Sequence, residues 1–440
     1  MSMKYSLKSS FARLVLSLFV TVFLLTVVGR IVTITGAWAY CTGWPVCVPI
    51  NPLGYFKLLH LSLVGVASVF MVLVWRKAWH EQRDQNLLLP LTTVTGVLFF
   101  GQALVGAVEV TRSYPLHLVV LHGMTAVALW ISLGFLVFLS GVLAQDKVVV
   151  EKFSFRQHAM DFFILSKPLI VALLLVTTYS GLVAGSKAWP SASLTFWTLL
   201  GGTMAAAGSS ALNQYIDREL DKKMQRTAKR PLADGRLTAA EGLSYGLALS
   251  LLSYYVMAGF VNFLAALLSL VGIFYYVLFY SVWLKKATVQ NIVIGGGAGA
   301  IPPMVGWAAA TGHLGLAAWI LFAIVFMWTP PHFWALAIVR MKDYEKAGVP
   351  MMPVVHGEEK TRRHILVYTI ELIAVTLLLP IFNLAGMVYL VSALVLGGFL
   401  LYAAFRVWMV GGNKVAWTMY RWSSMYLMFI FLALMIDAVV

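Results

Sequence analysis

The sequence predicts an all-α, polytopic membrane protein with about 13 transmembrane helices. Of the 440 residues, 61% are hydrophobic and only 11% are charged, whereas charged residues make up about 25% of an ordinary soluble domain. Apolar runs of about 20 residues recur along the whole chain, and a run of that length crosses a bilayer as a helix. The lipid bilayer is therefore the first partner that we expect for this chain.

The expected spans fall into a group of four followed by a group of nine. The first group is expected at 14–35, 58–75, 88–108 and 117–143. The second group is expected at 164–184, 193–212, 239–259, 262–281, 288–309, 315–338, 364–382, 385–405 and 420–438. A polar linker from Gln145 to Lys167 separates the groups, so we predict one domain at 1–145 and another at 146–440.

The net charge of +15 would suit a nucleic-acid-binding protein, but its distribution argues against one. Basic residues concentrate in alternate loops, which is the positive-inside pattern of membrane proteins. These loops are the N-terminus, 76–83, 147–167, 218–236, 285–286, 340–363 and 406–414. We therefore predict a multi-pass protein of the cell (inner or cytoplasmic) membrane, with its N-terminus and the 218–236 loop in the cytoplasm.

The first apolar run has an alternative interpretation as a cleaved signal peptide ending near residue 39. Arg30 interrupts that run, and the topology needs this helix to place Lys77 inside. We therefore expect a retained span.

The first outward-facing loop contains both cysteines of the chain, Cys41 and Cys47. An oxidising exterior permits a disulfide at this position. A thiol pair with a redox role, a simple loop staple and two free thiols all remain open.

A polar helix face near the middle of the chain suggests chemistry on a diphosphate. Asn213, Asp217 and Asp221 are spaced four apart, which places them on one face of a helix. Carboxylates beside apolar segments are costly unless they have a task, and oxygen ligands of this kind suit Mg²⁺. Arg226 and Arg230 follow directly and could clamp a diphosphate.

A second acidic pair, Asp343 and Glu345, follows a later span on the same side of the membrane. Two acidic clusters facing one cavity could hold two Mg²⁺ ions and both phosphates of a leaving diphosphate. Alternatively, Asp343 is a solvated loop carboxylate. Lys285 could contact phosphate, although a basic cytoplasmic loop needs no function beyond topology. The glycine-rich run at 295–299 either lets helices approach closely or leaves room for a bulky ligand.

These motifs resemble those of intramembrane prenyltransferases of the UbiA type. The run N-x-x-x-D-x-x-x-D at 213–221, followed by R-T-x-x-R-P at 226–231, is similar to the first signature of that family. Further motifs resemble one subfamily, protoheme IX farnesyltransferase (heme O synthase). They lie at 283–288, 299–303, 329–334 and 343–353, in the same order and across the whole second part.

The resemblance implies a nine-helix bundle whose cytoplasmic mouth binds Mg²⁺ and farnesyl diphosphate. It also implies transfer of the farnesyl group to a vinyl group of heme B, with addition of water, which gives heme O for heme-copper oxidase biogenesis. By this resemblance the catalytic residues are Asn213, Asp217, Asp221 and Asp343, of which the three aspartates bind Mg²⁺, and the diphosphate-binding residues are Arg226, Arg230 and Lys285. Many relatives have a fuller second motif than Asp343 and Glu345, so the ligands of a second metal stay open. His332 either meets the heme or is a packed histidine.

Histidines within the spans are the signal in the first part. A neutral imidazole is the usual axial ligand of heme iron. His60 and His122 should lie at similar depth near the outer ends of their spans, whereas we interpret His117 as a polar residue at a helix end. Arg30 could pair with a propionate or extend to the interface.

The first part resembles the first four-helix half of the heme A synthase family. The similar segments are 29–36, 41–47, 102–106 and 121–126, and this chain lacks the glutamate expected between Cys47 and His60. By resemblance, His60 and His122 would bind the iron of a heme held in this domain. Three roles remain open: a half-enzyme that pairs with a second copy, a module that delivers heme, and a scaffold that meets heme A synthase.

Two other functions compete with heme farnesylation. One is a prenyltransferase that acts on a quinone precursor, against which the motifs at 329–334 and 343–353 argue. The other is a heme-binding carrier or chaperone, which His60 and His122 would suit. A carrier has no need of a Mg²⁺–diphosphate site, so the acidic clusters favour an enzyme.

Overall fold

The structure is a computed structural model that describes residues 6–42, 45–112, 114–144, 146 and 154–440. Twelve of the described helices are long and apolar enough to cross a membrane. This confirms the prediction of an all-α, polytopic membrane protein. The thirteenth expected span, at 193–212, lies in a helix of 30 residues that is not among the twelve. Glycine, serine and threonine in its middle and polar residues at its end make that helix less apolar.

The described residues form two compact units. The first consists of Met1–His158 and Leu237–Tyr255. Its helices are α1 (Ser10–Thr35), α2 (Gly54–Glu81), α3 (Leu88–Thr111), α4 (Leu116–Leu143) and most of α8 (Ala239–Phe260). The expected boundary at 145/146 falls on Gln145, which lies outside the described residues together with the linker residues 147–153.

A small hairpin joins α1 to α2. Gly36 ends α1 in the left-handed conformation, with φ of 66°, and a single 3₁₀ turn (Ala37–Tyr40) follows. Strands β1 (Cys41–Thr42) and β2 (Val48–Pro49) pair antiparallel. A disulfide joins Cys41 to Cys47 with 5.3 Å between their Cα atoms, and Lys57 Nζ donates a 2.8 Å hydrogen bond to the Cys41 carbonyl. The loop is therefore fixed covalently and by a buried lysine.

A buried ionic cluster anchors the start of α8 within the first unit. Thr238 and Glu241 form a capping box, in which Thr238 N donates to Glu241 Oε2 at 2.8 Å and Glu241 N to Thr238 Oγ1 at 3.2 Å. The Glu241 side chain is fully buried and pairs with Arg83 and with His158. Because a buried carboxylate needs partners of this kind, the cluster fixes α8 against its neighbours in the unit.

The second unit consists of Ala159–Arg236 and Val256–Val440, and α5 (Phe155–Leu165) begins just before it. Its further helices are α6 (Pro168–Ser186), α7 (Ala192–Asp221), α9 (Phe263–Phe274), a π-helix (Tyr275–Leu284), α10 (Lys285–Ala287), α11 (Asn291–Gly295), α12 (Gly297–Thr311), α13 (Leu316–Val339), α14 (Met341–Lys346), α15 (Met352–Ile381), α16 (Met387–Val410) and α17 (Asn413–Val439).

Close backbone contact between α6 and α12 holds the centre of this unit. Gly181 of α6 lies against the Pro303 carbonyl, and Gly306 of α12 lies against the Thr178 carbonyl. A side chain at either glycine would collide with backbone, so small residues permit this approach. Helices α13, α15, α16 and α17 share the main apolar core, which includes the buried Trp334.

Candidate active site

The acidic face of α7 forms the centre of the candidate site. Asn213, Asp217 and Asp221 lie on the last turns of this helix and are 4%, 2% and 3% exposed. Asn213 Nδ2 donates to Asp217 Oδ2 at 2.8 Å, so the four-residue spacing brings the side chains together as the sequence predicts. The second unit therefore buries two carboxylates side by side.

Three cations reach this face, one for each polar side chain. The contacts are Lys167 Nζ to Asn213 Oδ1 at 3.0 Å, Lys285 Nζ to Asp217 Oδ2 at 2.5 Å and Arg230 Nη1 to Asp221 Oδ2 at 2.7 Å. Buried carboxylates persist when they are paired in this way. Of the predicted diphosphate ligands, Arg230 and Lys285 thus contact the acidic face directly.

Lys167 contacts this site, although the sequence did not mark it as a site residue. It precedes α6 in the left-handed conformation, with φ of 51°, and appears in the sequence as one more base of a cytoplasmic linker. Pro168, which fixes the first turn of α6, marks it as the last residue before a membrane helix. Burial, together with the nearby charges of Arg230 and Lys285, lowers the pKa of the Lys167 amino group to about 7.

The π-helix forms the wall opposite α7. Asn213 Nδ2 also donates to Ser281 Oγ at 3.0 Å, and Ser281 Oγ donates to the Tyr276 carbonyl five residues earlier. Tyr280 and Lys285 are five apart, which matches the i→i+5 repeat of this helix type. Tyr276 and Tyr280 stack with ring centroids 5.6 Å apart. The π-helix therefore brings the stacked rings of Tyr276 and Tyr280 into line with Lys285, which contacts Asp217.

Glycines behind this wall accommodate its aromatic rings. A Cβ at Gly295 would collide with the Tyr280 ring. At Gly297 it would lie 3.0 Å from the Tyr275 hydroxyl. Of the two interpretations of the glycine-rich run, these contacts favour close approach between protein elements.

The second acidic segment lies at the same end of the unit. Asn291 Nδ2 donates to the Pro350 carbonyl at 3.3 Å, and Val349 and Met351 share a small core with Leu220 of α7. Burial raises the pKa of the Tyr344 phenol, while the charge of Arg226 opposes that rise. Arg226, the third predicted diphosphate ligand, therefore lies close enough to Tyr344 of α14 to influence it electrostatically.

Asp343 itself faces Arg340, whose Nη1 lies 4.0 Å from Asp343 Oδ2, and Glu345 is exposed. Among the described residues no hydrogen bond or ion pair joins Asp343 to Asp217 or Asp221. Within the same ranges, no three His, Cys, Asp or Glu side chains form a metal-binding group.

One atom nevertheless indicates that a cation fits this face. Asp217 Oδ1 is buried and has no hydrogen-bond partner in the part of the chain that the structure describes. A buried, unpaired carboxylate oxygen calls for a ligand, and hard cations such as Mg²⁺ prefer oxygen donors. The oxygen donors around Asn213 and Asp217 therefore suit Mg²⁺. Asp343 would have to move toward them to become a further ligand.

The two histidines predicted to bind heme lie together in the first unit. A Cβ at Gly29 of α1 would lie 2.8 Å from His60 Cε1, and one at Gly106 of α3 would lie 2.9 Å from His122 Cε1. The two rings are close enough to interact electrostatically. Neither Nδ1 has a hydrogen-bond partner within the described ranges, although Glu109 Oε2 lies 3.9 Å from His122 Nδ1. Each imidazole thus rests on a glycine of the neighbouring helix.

Two buried carboxylates paired with cations, and a third cation bound by Asn213, indicate an intramembrane enzyme for a polyanionic substrate. Residues 174–432 match the model of the UbiA prenyltransferase family, and the chain belongs to that family. A solved structure of a digeranylgeranylglyceryl phosphate synthase shares the fold, with a TM-score of 0.56 and 16% identity, over 64% of this chain and 99% of the other.

Curated relatives extend the similarity beyond the matched domain. A protoheme IX farnesyltransferase of Roseiflexus sp. (strain RS-1) is 38% identical over 445 aligned residues, which cover 95% of this chain and 82% of the relative. A protein of the same name from Gloeobacter violaceus is 48% identical over 280 residues, or 63% of this chain and 92% of the relative. The similarity to the Roseiflexus protein therefore includes most of the first unit.

Proposed function

We propose that this protein transfers the farnesyl group of farnesyl diphosphate to a vinyl group of heme B, with addition of water, and so makes heme O for heme-copper oxidases. Relatives named protoheme IX farnesyltransferase support the choice of substrates over nearly the whole chain. The observation that carries the proposal is the buried Asp217, which has one oxygen paired with Lys285 and the other unpaired. The names of these relatives favour heme over a quinone acceptor, and the acidic face favours an enzyme over a carrier.

The residues of the acidic face would act by exchanging partners. Asp217, Asp221 and Asp343, supported by Asn213, would hold Mg²⁺, which supplies positive charge to the diphosphate leaving group. Lys285 and Arg230 would turn from these carboxylates to phosphate oxygens, as would Lys167 from Asn213; Arg226 would bind the outer phosphate from the α14 side. The partly buried rings of Tyr276 and Tyr280 would keep water from the allylic cation.

We propose further that His60 and His122 bind heme in a domain comprising residues 1–145. The packing of each imidazole against a glycine supports this, as does the electrostatic interaction between the two rings. The domain would pair with heme A synthase or with a second copy. We place the protein in the cell membrane with a cytoplasmic N-terminus, on the charge pattern of its loops.

Pigment extraction from a host that lacks its own heme O synthase tests the proposal. The wild-type chain should restore heme O. Asp217→Ala should abolish heme O formation because the acidic face of α7 loses the unpaired carboxylate oxygen. Glu219→Ala is the matched control, since Glu219 lies on the same helix but is exposed and paired with Lys222. Heme O formed by Asp217→Ala at the control level would contradict the proposal. Heme A formed with wild type and lost in His60→Ala would make the first domain catalytic.

A further inference from the structure

His332 of α13 is a buried histidine that the proposed exchange at the acidic face does not use. Its side chain is 6% exposed and lies between two aromatic rings, Trp328 at 4.2 Å and Tyr420 at 4.5 Å between centroids. Both contacts are stacked, so the plane of the imidazole is fixed. Such support is typical of a side chain whose orientation matters.

Hydrogen bonds also fix which nitrogen carries the proton. Ser423 Oγ lies 2.7 Å from His332 Nδ1 and donates its own proton to the Tyr420 carbonyl at 2.8 Å. The serine oxygen can then only accept from the ring, so Nδ1 is protonated and Nε2 keeps its lone pair. In the described part of the chain no further side-chain hydrogen bond is found for the ring, and the Tyr420 carbonyl also lies near it.

Electrostatic interactions relate the surroundings of this histidine to the diphosphate end of the unit. Tyr420 stacks on His332 and lies close enough to Tyr344 to influence its phenol electrostatically. Arg226 and Asp343 influence the same phenol. His332 therefore lies toward the end of the unit that carries the proposed diphosphate ligands.

We propose that His332 Nε2 is the base that accepts a proton from the water added to heme B, which rests on the function proposed above. The C1–O bond of farnesyl diphosphate breaks, and its electron pair leaves with diphosphate. The vinyl π pair of heme B forms the new bond to C1, which leaves a cation on the vinyl carbon next to the porphyrin. The water oxygen bonds to that carbon and gives one proton to Nε2.

Other groups at this end of the unit are poorly suited to the task. The carboxylates of Asp217 and Asp221 are paired with Lys285 and Arg230 and belong to the diphosphate face. Tyr344 is a phenol whose pKa burial raises, so its neutral form offers only a weakly basic oxygen. The Lys167 amine is bound to Asn213, so the neutral imidazole of His332 is the group that we assign to this task.

The test uses the full-length protein with farnesyl diphosphate, Mg²⁺ and heme B, and measures both diphosphate release and heme products by mass spectrometry. We expect His332→Gln to release diphosphate within about threefold of wild type but to form heme O about 100-fold more slowly, as for loss of a general base. The missing product should appear as farnesylated heme lighter by one water, because the cation loses a proton instead. Ser423→Ala removes the hydrogen-bond partner of Nδ1. This variant should lower the ratio of heme O to released diphosphate by less than His332→Gln does.

Three results would count against the inference. If His332→Gln formed heme O and diphosphate in the wild-type ratio, His332 would not be the base. An equal loss of diphosphate release and heme O would indicate a structural role. A raised KM for heme B with unchanged products would make His332 a heme contact instead. If the wild-type protein formed no farnesylated heme at all, the proposed function itself would fail.

Discussion

The ion pair between Lys285 and Asp217 allows the energetics of the site to be tested apart from catalysis. Lys285→Met removes the cation and leaves a carboxylate that is 2% exposed without its charged partner. Loss of one member of a buried pair costs about 3–5 kcal/mol. Asp217 keeps the 2.8 Å hydrogen bond from Asn213, and the Lys285 side chain is 16% exposed, so we expect about 3 kcal/mol, the lower end of that range.

The measurement is the free energy of unfolding of the purified protein in detergent, for a double-mutant cycle. Lys222→Met is the matched control, because its partner Glu219 is exposed and such pairs contribute about 0–1 kcal/mol. Adding Asp217→Asn to Lys285→Met should recover most of the lost stability, since no buried charge remains, while farnesyl transfer stays absent. Equal stability of Lys285→Met and Lys222→Met, or no recovery in the double variant, would refute the reasoning.

Two further predictions concern the lysine before α6 and the histidines proposed to bind heme. Because burial lowers the pKa of Lys167 from 10.5 to about 7, the folded protein holds fewer protons than the unfolded chain between those values, so stability should rise with pH across that window. Lys167→Met should flatten this rise in pH-dependent unfolding, and an unchanged slope would contradict the assignment. Gly106→Val should displace His122 and abolish the heme absorption of the first unit, because its Cβ would lie 2.9 Å from the ring. Gly123→Ala on α4, where a Cβ meets nothing within 4 Å, should retain the heme; equal retention by both variants would argue against this heme site.

The sequence predicts those parts of the molecule that depend on local spacing. The helices follow from runs of apolar residues, and the acidic face of α7 follows from carboxylates spaced four apart. These features are visible because helical geometry alone determines them.

Features that depend on packing between distant segments were not predictable. The contact of Lys167 with Asn213 joins residues 46 apart in sequence. The π-helix has no separate sequence signal beyond the five-residue spacing of Tyr280 and Lys285. The placement of Leu237–Tyr255 with the first unit depends on tertiary contacts such as the pairing of Arg83 with Glu241.

The pairing of the α7 carboxylates with Lys285 and Arg230 has a consequence for turnover. Diphosphate is a strongly bound polyanion, and an enzyme that clamps it for the reaction must also let it go afterwards. Here the same two cations have alternative anions within the protein, at 2.5 Å and 2.7 Å in the present structure. Asp217 and Asp221 would therefore act as built-in competitors of the spent leaving group. Release would be favoured by restoring these internal pairs.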